Sequence, residues 1–256
     1  MFYTGNLANP FVARPPNPRA IVRLFCLPYA GAGSSRYFRW SAQFPPTVDI
    51  CPLLLPGRES RIWEAPYRDV AELIGDLCEA LQPEISRPFA FFGHSMGALI
   101  AFEVARQFRR SSGQLPLHLF ASACRSPQSP DSEDFLHRLP ETEFLMRLRS
   151  MNYAPDAIYD DPQFMKILLP TIRADYQLCE TYRYASEPPL DCPITAFGGS
   201  EDRWVTRTHL DDWGAQTAVR FARTMFSGGH LFLHKHEAAI ADVIVTDLEE
   251  TLLAKT

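Results

Sequence analysis

Gly93-His94-Ser95-Met96-Gly97 is a G-x-S-x-G string that follows the apolar run Phe89–Phe92 and opens a helical pattern near Ala98. A serine on a sharp strand-to-helix turn needs small neighbours two positions away on each side, because a side chain there would collide with the adjoining strand or helix. Gly93 and Gly97 meet that need. The chemistry on offer is acyl transfer through Ser95, and a hydroxyl does it only when a base removes its proton. A histidine and an orienting carboxylate are therefore expected later in the chain, acid first, on loops at the carboxyl ends of strands. Asp202 follows the run Pro193–Gly198 in Gly198-Gly199-Ser200-Glu201-Asp202, and His230 follows Val219–Phe226 in Ser227-Gly228-Gly229-His230. Topology selects Ser95, Asp202 and His230 as the catalytic set.

Other residues compete less well. His209, His234 and His236 fall within or at the start of helical patterns, His118 lies inside a strand pattern, and His137 lies in a helical insertion. His94 adjoins Ser95, but neighbours on such a turn diverge, so it reads as a packing residue. Glu201 is the nearest rival to Asp202, and an acid near Asp131 is the rarer arrangement. An oxyanion also needs two N–H donors. Met96, directly after the serine, supplies one from its backbone at the positive end of a helix. The second is expected from the glycine-rich loop Pro28-Tyr29-Ala30-Gly31-Ala32-Gly33, with Ala30 preferred and Gly31 or Tyr29 as the neighbouring alternatives. The loop also resembles part of a dinucleotide cradle, but it lacks the third glycine and a Walker lysine.

The elements that must position these groups alternate. Ile21–Leu27, Val48–Leu55, Phe89–Gly93 and Leu117–Ala123 are near-continuous apolar strands, as in a sheet covered on both faces. Asp69–Leu81 and Ala98–Phe108 between them carry apolar residues at helical spacing. The rhythm breaks after Ser126 and resumes with strand Pro193–Gly198, helix Thr206–Gly214, strand Val219–Phe226 and helix Glu237–Leu253. This predicts an α/β fold with a mostly parallel sheet and helices on both faces. Residues 1–20, with Arg14-Pro15-Pro16-Asn17-Pro18, read as an extended leader. Residues 21–130 and 188–256 form the core. Residues 131–187 form a helical insertion, punctuated by Pro140, Pro155, Pro162 and Pro170.

Composition bounds the partners. The 256 residues include 46 % hydrophobic types, enough for a buried core, so disorder and coiled-coil architectures are excluded. A net charge of −5 gives no global attraction for nucleic acid or an anionic membrane. The six cysteines are dispersed, without metal-site spacing, and suit a reducing compartment. No apolar stretch reaches the roughly 18 residues of a membrane span, and no secretory leader precedes the core, so a cytoplasmic, soluble protein is expected. Neither a metal nor a resident cofactor is expected.

Five strings coincide in order and spacing: L-P-Y-A-G-A-G at 27–33, L-P-G-R-E-S-R at 55–61, G-H-S-M-G at 93–97, G-G-S-E-D at 198–202 and Gly229-His230. Together they resemble the type II thioesterases that accompany polyketide and nonribosomal peptide synthases, within the α/β-hydrolase superfamily. The resemblance covers about residues 21 to 250. It implies a serine hydrolase that removes acyl groups, often aberrant ones, from the 4′-phosphopantetheine arm of acyl or peptidyl carrier proteins. It also implies that the insertion is a lid whose apolar side chains line an acyl channel, with Tyr29, Phe144 and Leu145 as candidate contacts. The competing readings are a carboxylesterase or lipase acting on oxygen esters, and a non-catalytic module on the same fold.

Because such carrier proteins are acidic, Arg36, Arg39, Arg58 and Arg61, on or near the first two carboxyl-end loops, are candidates for a docking patch. The opposing reading pairs Arg58 and Arg61 with Glu59 or Glu64. All but three of the 25 basic residues are arginine, a bias that GC-rich coding alone would give and that planar anion contacts would also suit. A monomer is expected.

Overall fold

The computed structural model describes residues 9–129, 135–151 and 156–254. Among the described residues six strands form one parallel sheet: β1 (Val22–Leu27), β2 (Val48–Pro52), β3 (Phe89–His94), β4 (Leu119–Ser122), β5 (Ile194–Gly199) and β6 (Phe221–Phe226). Their spatial order is β2-β1-β3-β4-β5-β6. The chain therefore steps one way from β1 to β2, then crosses back to β3 and continues outward. That reversal puts the carboxyl ends of β1 and β3 side by side, where open α/β sheets hold their sites. The pairing of Leu27 with Gly93 sets the loop after β1 beside the Ser95 turn, and Gly199 opposite Phe226 sets the Asp202 and His230 loops together.

Strand residues alternate between two cores. Phe25, Leu27 and Phe91 face helices α1 (Val70–Leu81) and α2 (Met96–Ser112), meeting Leu73, Leu77, Val104 and Phe108. Leu24, Cys26, Phe92, Phe120 and Phe197 face the other way, toward Trp40 and the apolar stripe of α7 (Glu237–Leu253), made by Ile240, Ile244 and Leu248. Helix α1 starts where Asp69 accepts the Glu72 N–H, a side-chain cap that satisfies an otherwise orphan donor. Helix α2 begins two residues earlier than the apolar stripe suggests, directly after Ser95, which gives its first free N–H groups to the site.

Between β4 and β5 lie α3 (Glu141–Ser150), α4 (Asp156–Tyr159) and α5 (Pro162–Thr181). They hold a separate cluster built on Phe144, Leu148, Met165 and Leu169. Two prolines act differently here. Pro162 sits in the first turn of α5, where its missing N–H has no cost, and Asp161 caps the Gln163 and Phe164 amides. Pro170, expected to break the pattern, lies inside α5 instead. Buried residues on both sides of it, Leu169, Thr171, Ala174 and Asp175, hold the helix through the lost hydrogen bond. Thr206–Gly214, expected as one helix, is a short helix α6 (Arg207–Asp211) that tightens into a 3₁₀ turn.

The N-terminal segment is anchored from Asn9 onward: Phe11 and Val12 are buried, Val12 bridges Leu53, and the Asn9 amide donates to the Ala80 carbonyl. Among the described residues no helix is long and apolar enough to cross a membrane.

Candidate active site

Ser95 lies at φ 54° and ψ −119°, outside the regions a non-glycine residue ordinarily adopts. The turn is imposed by the adjoining elements. A Cβ on Gly93 would lie 2.1 Å from the Gly97 carbonyl oxygen, and one on Gly97 would lie 2.3 Å from the Leu27 carbonyl oxygen. Both glycines are thus required by close approach. The Ser95 N–H donates to the Ser122 carbonyl at 2.7 Å, which pins the strained turn to β4.

The structure brings Ser95, His230 and Asp202 together from three loops. His230 Nε2 lies 3.0 Å from Ser95 Oγ, and His230 Nδ1 lies 2.7 Å from Asp202 Oδ2. Because the carboxylate only accepts, the Nδ1 proton belongs to His230, and Nε2 is left to accept from the serine. Asp202 Oδ1 accepts the Trp204 and Val205 amides at 2.9 and 3.1 Å. Burial would raise the Asp202 pKa, but the hydrogen bond and charge of His230 and these two amides outweigh it and hold the carboxyl below its ordinary value. The Trp204 ring stands edge-on to His230 at 5.9 Å.

His94 does more than pack. Its Nε2 lies 3.0 Å from the His230 carbonyl oxygen, and its Nδ1 lies 2.9 Å from Ser122 Oγ. Burial, then the neighbouring His230 and His234, push its pKa well below the ordinary value. A neutral His94 therefore donates from Nε2 and accepts at Nδ1. Nothing in the sequence marks this role, since the contact joins residues 136 positions apart.

Ser95 and His230 open into a cavity of about 770 Å³ also lined by Tyr29, Ala30, Met96 and Trp204. Met96 is the first residue of α2, so its N–H lacks an intrahelical acceptor. In the loop after β1 the Gly31 N–H is held by Asp175 Oδ2 at 2.7 Å, and the Ala32 N–H by the Tyr29 carbonyl at 3.0 Å. Gly31, the alternative donor, is thereby committed elsewhere. Among the hydrogen bonds of the described residues none uses the Ala30 N–H. A second cavity of about 640 Å³ shares Tyr29, Ala30 and Tyr176 with the first and reaches Arg36 and Arg39. Tyr29 Oη lies 3.2 Å from His234 Nε2.

Several expectations are corrected. Arg58 is 5 % exposed and forms a two-pronged ion pair with Asp175 at 2.8 and 2.9 Å, so it belongs to no docking surface and pairs with neither Glu59 nor Glu64. Arg61 is half-buried over the Phe11 ring and bonded to Glu64, which removes it from a free basic patch. Phe144 is wholly buried against Tyr176 and the Arg173 guanidinium, and Leu145 packs on the same cluster; neither lines either of these two cavities. Both hold the inserted helices together. Glu201 is exposed, His137 pairs with Glu180, and His118 is buried between Thr195 and Thr251, remote from Ser95. Asp131 lies outside the described residues.

A serine turn between a parallel strand and a helix, beside a histidine held by a buried carboxylate, defines a hydrolase of the α/β-hydrolase fold. Solved structures agree. The chain superposes on the type II thioesterase BorB from the borrelidin biosynthetic cluster with a TM-score of 0.86 and 35 % identity, covering 95 % of this chain and 100 % of that one. It superposes on ClbQ from the colibactin NRPS/PKS pathway with a TM-score of 0.87 and 27 % identity, covering 92 % and 100 %. The thioesterase domain family model matches residues 22–248. The chain therefore belongs to the thioesterase family and is a thioester hydrolase. Among its relatives, the gramicidin S biosynthesis protein GrsT of Aneurinibacillus migulanus is 42 % identical over 255 residues, covering 100 % of both chains.

Proposed function

We propose that this protein hydrolyses acyl thioesters on the phosphopantetheine arm of acyl or peptidyl carrier proteins, clearing aberrant or stalled acyl groups from a synthase. The observation that carries the reading is the continuous hydrogen-bonded chain from Ser95 through His230 to Asp202. The biosynthetic settings of BorB, ClbQ and GrsT supply the substrate class.

Ser95 Oγ attacks the thioester carbonyl carbon while its proton passes to His230 Nε2. The oxyanion is met by the Ala30 and Met96 N–H groups, aided by the α2 N-terminus. Collapse breaks the C–S bond and leaves an acyl group on Ser95. The sulfur takes the His230 proton as it leaves, or departs as thiolate while His230 gives its proton to solvent, so the imidazole is neutral again before deacylation. Water then attacks the ester, His230 removes its proton, and Ser95 Oγ leaves with that proton returned. The products are a free acid and a carrier with its thiol restored. Asp202 keeps the imidazole in the tautomer that accepts at Nε2 and stabilises the imidazolium. The inserted helices α3 to α5 act as the lid over this cavity.

The test compares one acyl group on a carrier-bound pantetheine thioester and on a matched oxygen ester. A preference for the thioester is expected; a large preference for the oxygen ester replaces this reading with a general esterase.

A further inference from the structure

The loop after β1 is held by a helix of the insertion. Tyr29 to Ala32 form a β-turn closed by the Ala32 N–H to the Tyr29 carbonyl, with Gly31 at φ 76° in its third position. That is a type II turn, which differs from type I in the direction of its central peptide, Ala30–Gly31. The direction is fixed from outside. The Gly31 N–H donates to Asp175 Oδ2 at 2.7 Å, and Asp175 is 2 % exposed on α5. Arg58 completes the clamp: one nitrogen donates both to Asp175 Oδ2 and to the Ala32 carbonyl, and the other to Asp175 Oδ1. One turn earlier on α5, Thr171 Oγ1 donates to the Gly57 carbonyl at 2.7 Å, so the same helix grips the loop that carries Arg58.

We propose that Asp175 is a positioning residue for the oxyanion site: with Arg58 it holds the Tyr29–Ala32 turn so that the Ala30 N–H faces a carbonyl bound at Ser95. The inference rests on the reading of Ser95 as nucleophile and Ala30 as donor. A rotation of the Ala30–Gly31 peptide passes through the Ala30 Cα to the donor, and the Asp175 carboxylate opposes it by holding the Gly31 N–H and repelling the Ala30 carbonyl that would take its place. The seating of α5 and the readiness of the oxyanion site are then one event. It also explains why an arginine is buried in the L-P-G-R segment.

Removing Asp175 alone strands a buried guanidinium and threatens the fold. The test therefore uses two double variants without that charge. Arg58→Met with Asp175→Leu removes the acceptor, whereas Arg58→Met with Asp175→Asn retains an oxygen for the Gly31 N–H. Two pantetheine ligands are titrated: an acyl amide, which reports ground-state binding, and a trifluoromethyl ketone. Ser95 Oγ adds to the ketone carbonyl as its proton moves to His230, leaving a tetrahedral oxyanion.

The Leu variant is expected to lose about 100-fold in kcat and in ketone affinity while amide affinity changes less than about threefold. The Asn variant should recover most of both losses. Equal changes for the two ligands, no change for either, or no recovery with Asn overturns the inference. Should the unaltered protein form no adduct on Ser95, the nucleophile assignment fails and this inference with it. Should it form the adduct and the Leu variant match it, only the role of Asp175 fails.

Discussion

His94 Nε2 donates to the main-chain carbonyl of His230 at 3.0 Å, so the residue preceding the serine fixes the backbone of the histidine that faces it. Two loops far apart in sequence are thus tied by one partly buried bond, with Ser122 completing the link to β4. His94→Phe keeps a flat ring and leaves the His230 carbonyl without its donor. The expected result is a fall in kcat of about 10-fold or more with KM little changed, since the loss is in base placement. Steady-state kinetics on an acyl-pantetheine thioester measures it; an unchanged kcat contradicts the role.

Gly97→Ala places a methyl group where only 2.3 Å separates it from the Leu27 carbonyl oxygen. Backbone cannot yield as a flexible side chain would, so β1 and α2 must part. A loss of about 1–3 kcal/mol is expected from overpacking alone, together with loss of Ser95 labelling by a fluorophosphonate. A variant with native melting temperature and labelling rate contradicts the close-approach account.

Stability should fall on mild acidification. His94 is pushed well below its ordinary pKa; burial lowers His118 to about 4 against the opposing charge of Asp247, and burial, then the Arg36 charge, lowers His234 to about 4. The unfolded chain protonates these imidazoles near 6.5, while the folded chain keeps them neutral, so the unfolded state binds more protons between those values. By linkage, stability is full above about 6.5 and declines as pH falls toward about 4. Melting temperatures between pH 7 and pH 5 should drop, and His118→Gln should flatten the slope. A level profile contradicts the burial argument.

Arg36 and Arg39 are the exposed members of the arginine set and border the second cavity. If an acidic carrier docks there, Arg36→Glu with Arg39→Glu should raise KM for a carrier-bound thioester several-fold and leave KM for a free pantetheine thioester unchanged. Equal effects on both substrates contradict docking.

The sequence made Ser95, Asp202 and His230 legible because each sits in a short local pattern whose meaning is set by the strand before it. The sheet was legible for the same reason, since buried parallel strands are nearly pure apolar runs. Arg58 was misread because burial of an arginine depends on its partner, and Asp175 lies 117 residues away with no local mark. His94 was hidden likewise. Pro170 misled because its local cost is outweighed by tertiary packing along α5.

In the proposed mechanism the acyl group passes through Ser95. The most direct measurement is rapid acid quench of the protein with an acyl-pantetheine thioester, followed by mass spectrometry of the peptide that contains Ser95. An acyl mass on Ser95 is expected, formed with a burst of free thiol ahead of free acid, with no hydrolysis above background in Ser95→Ala. Hydrolysis at the native rate in Ser95→Ala, with no acyl adduct at that position in the unaltered protein, would contradict it.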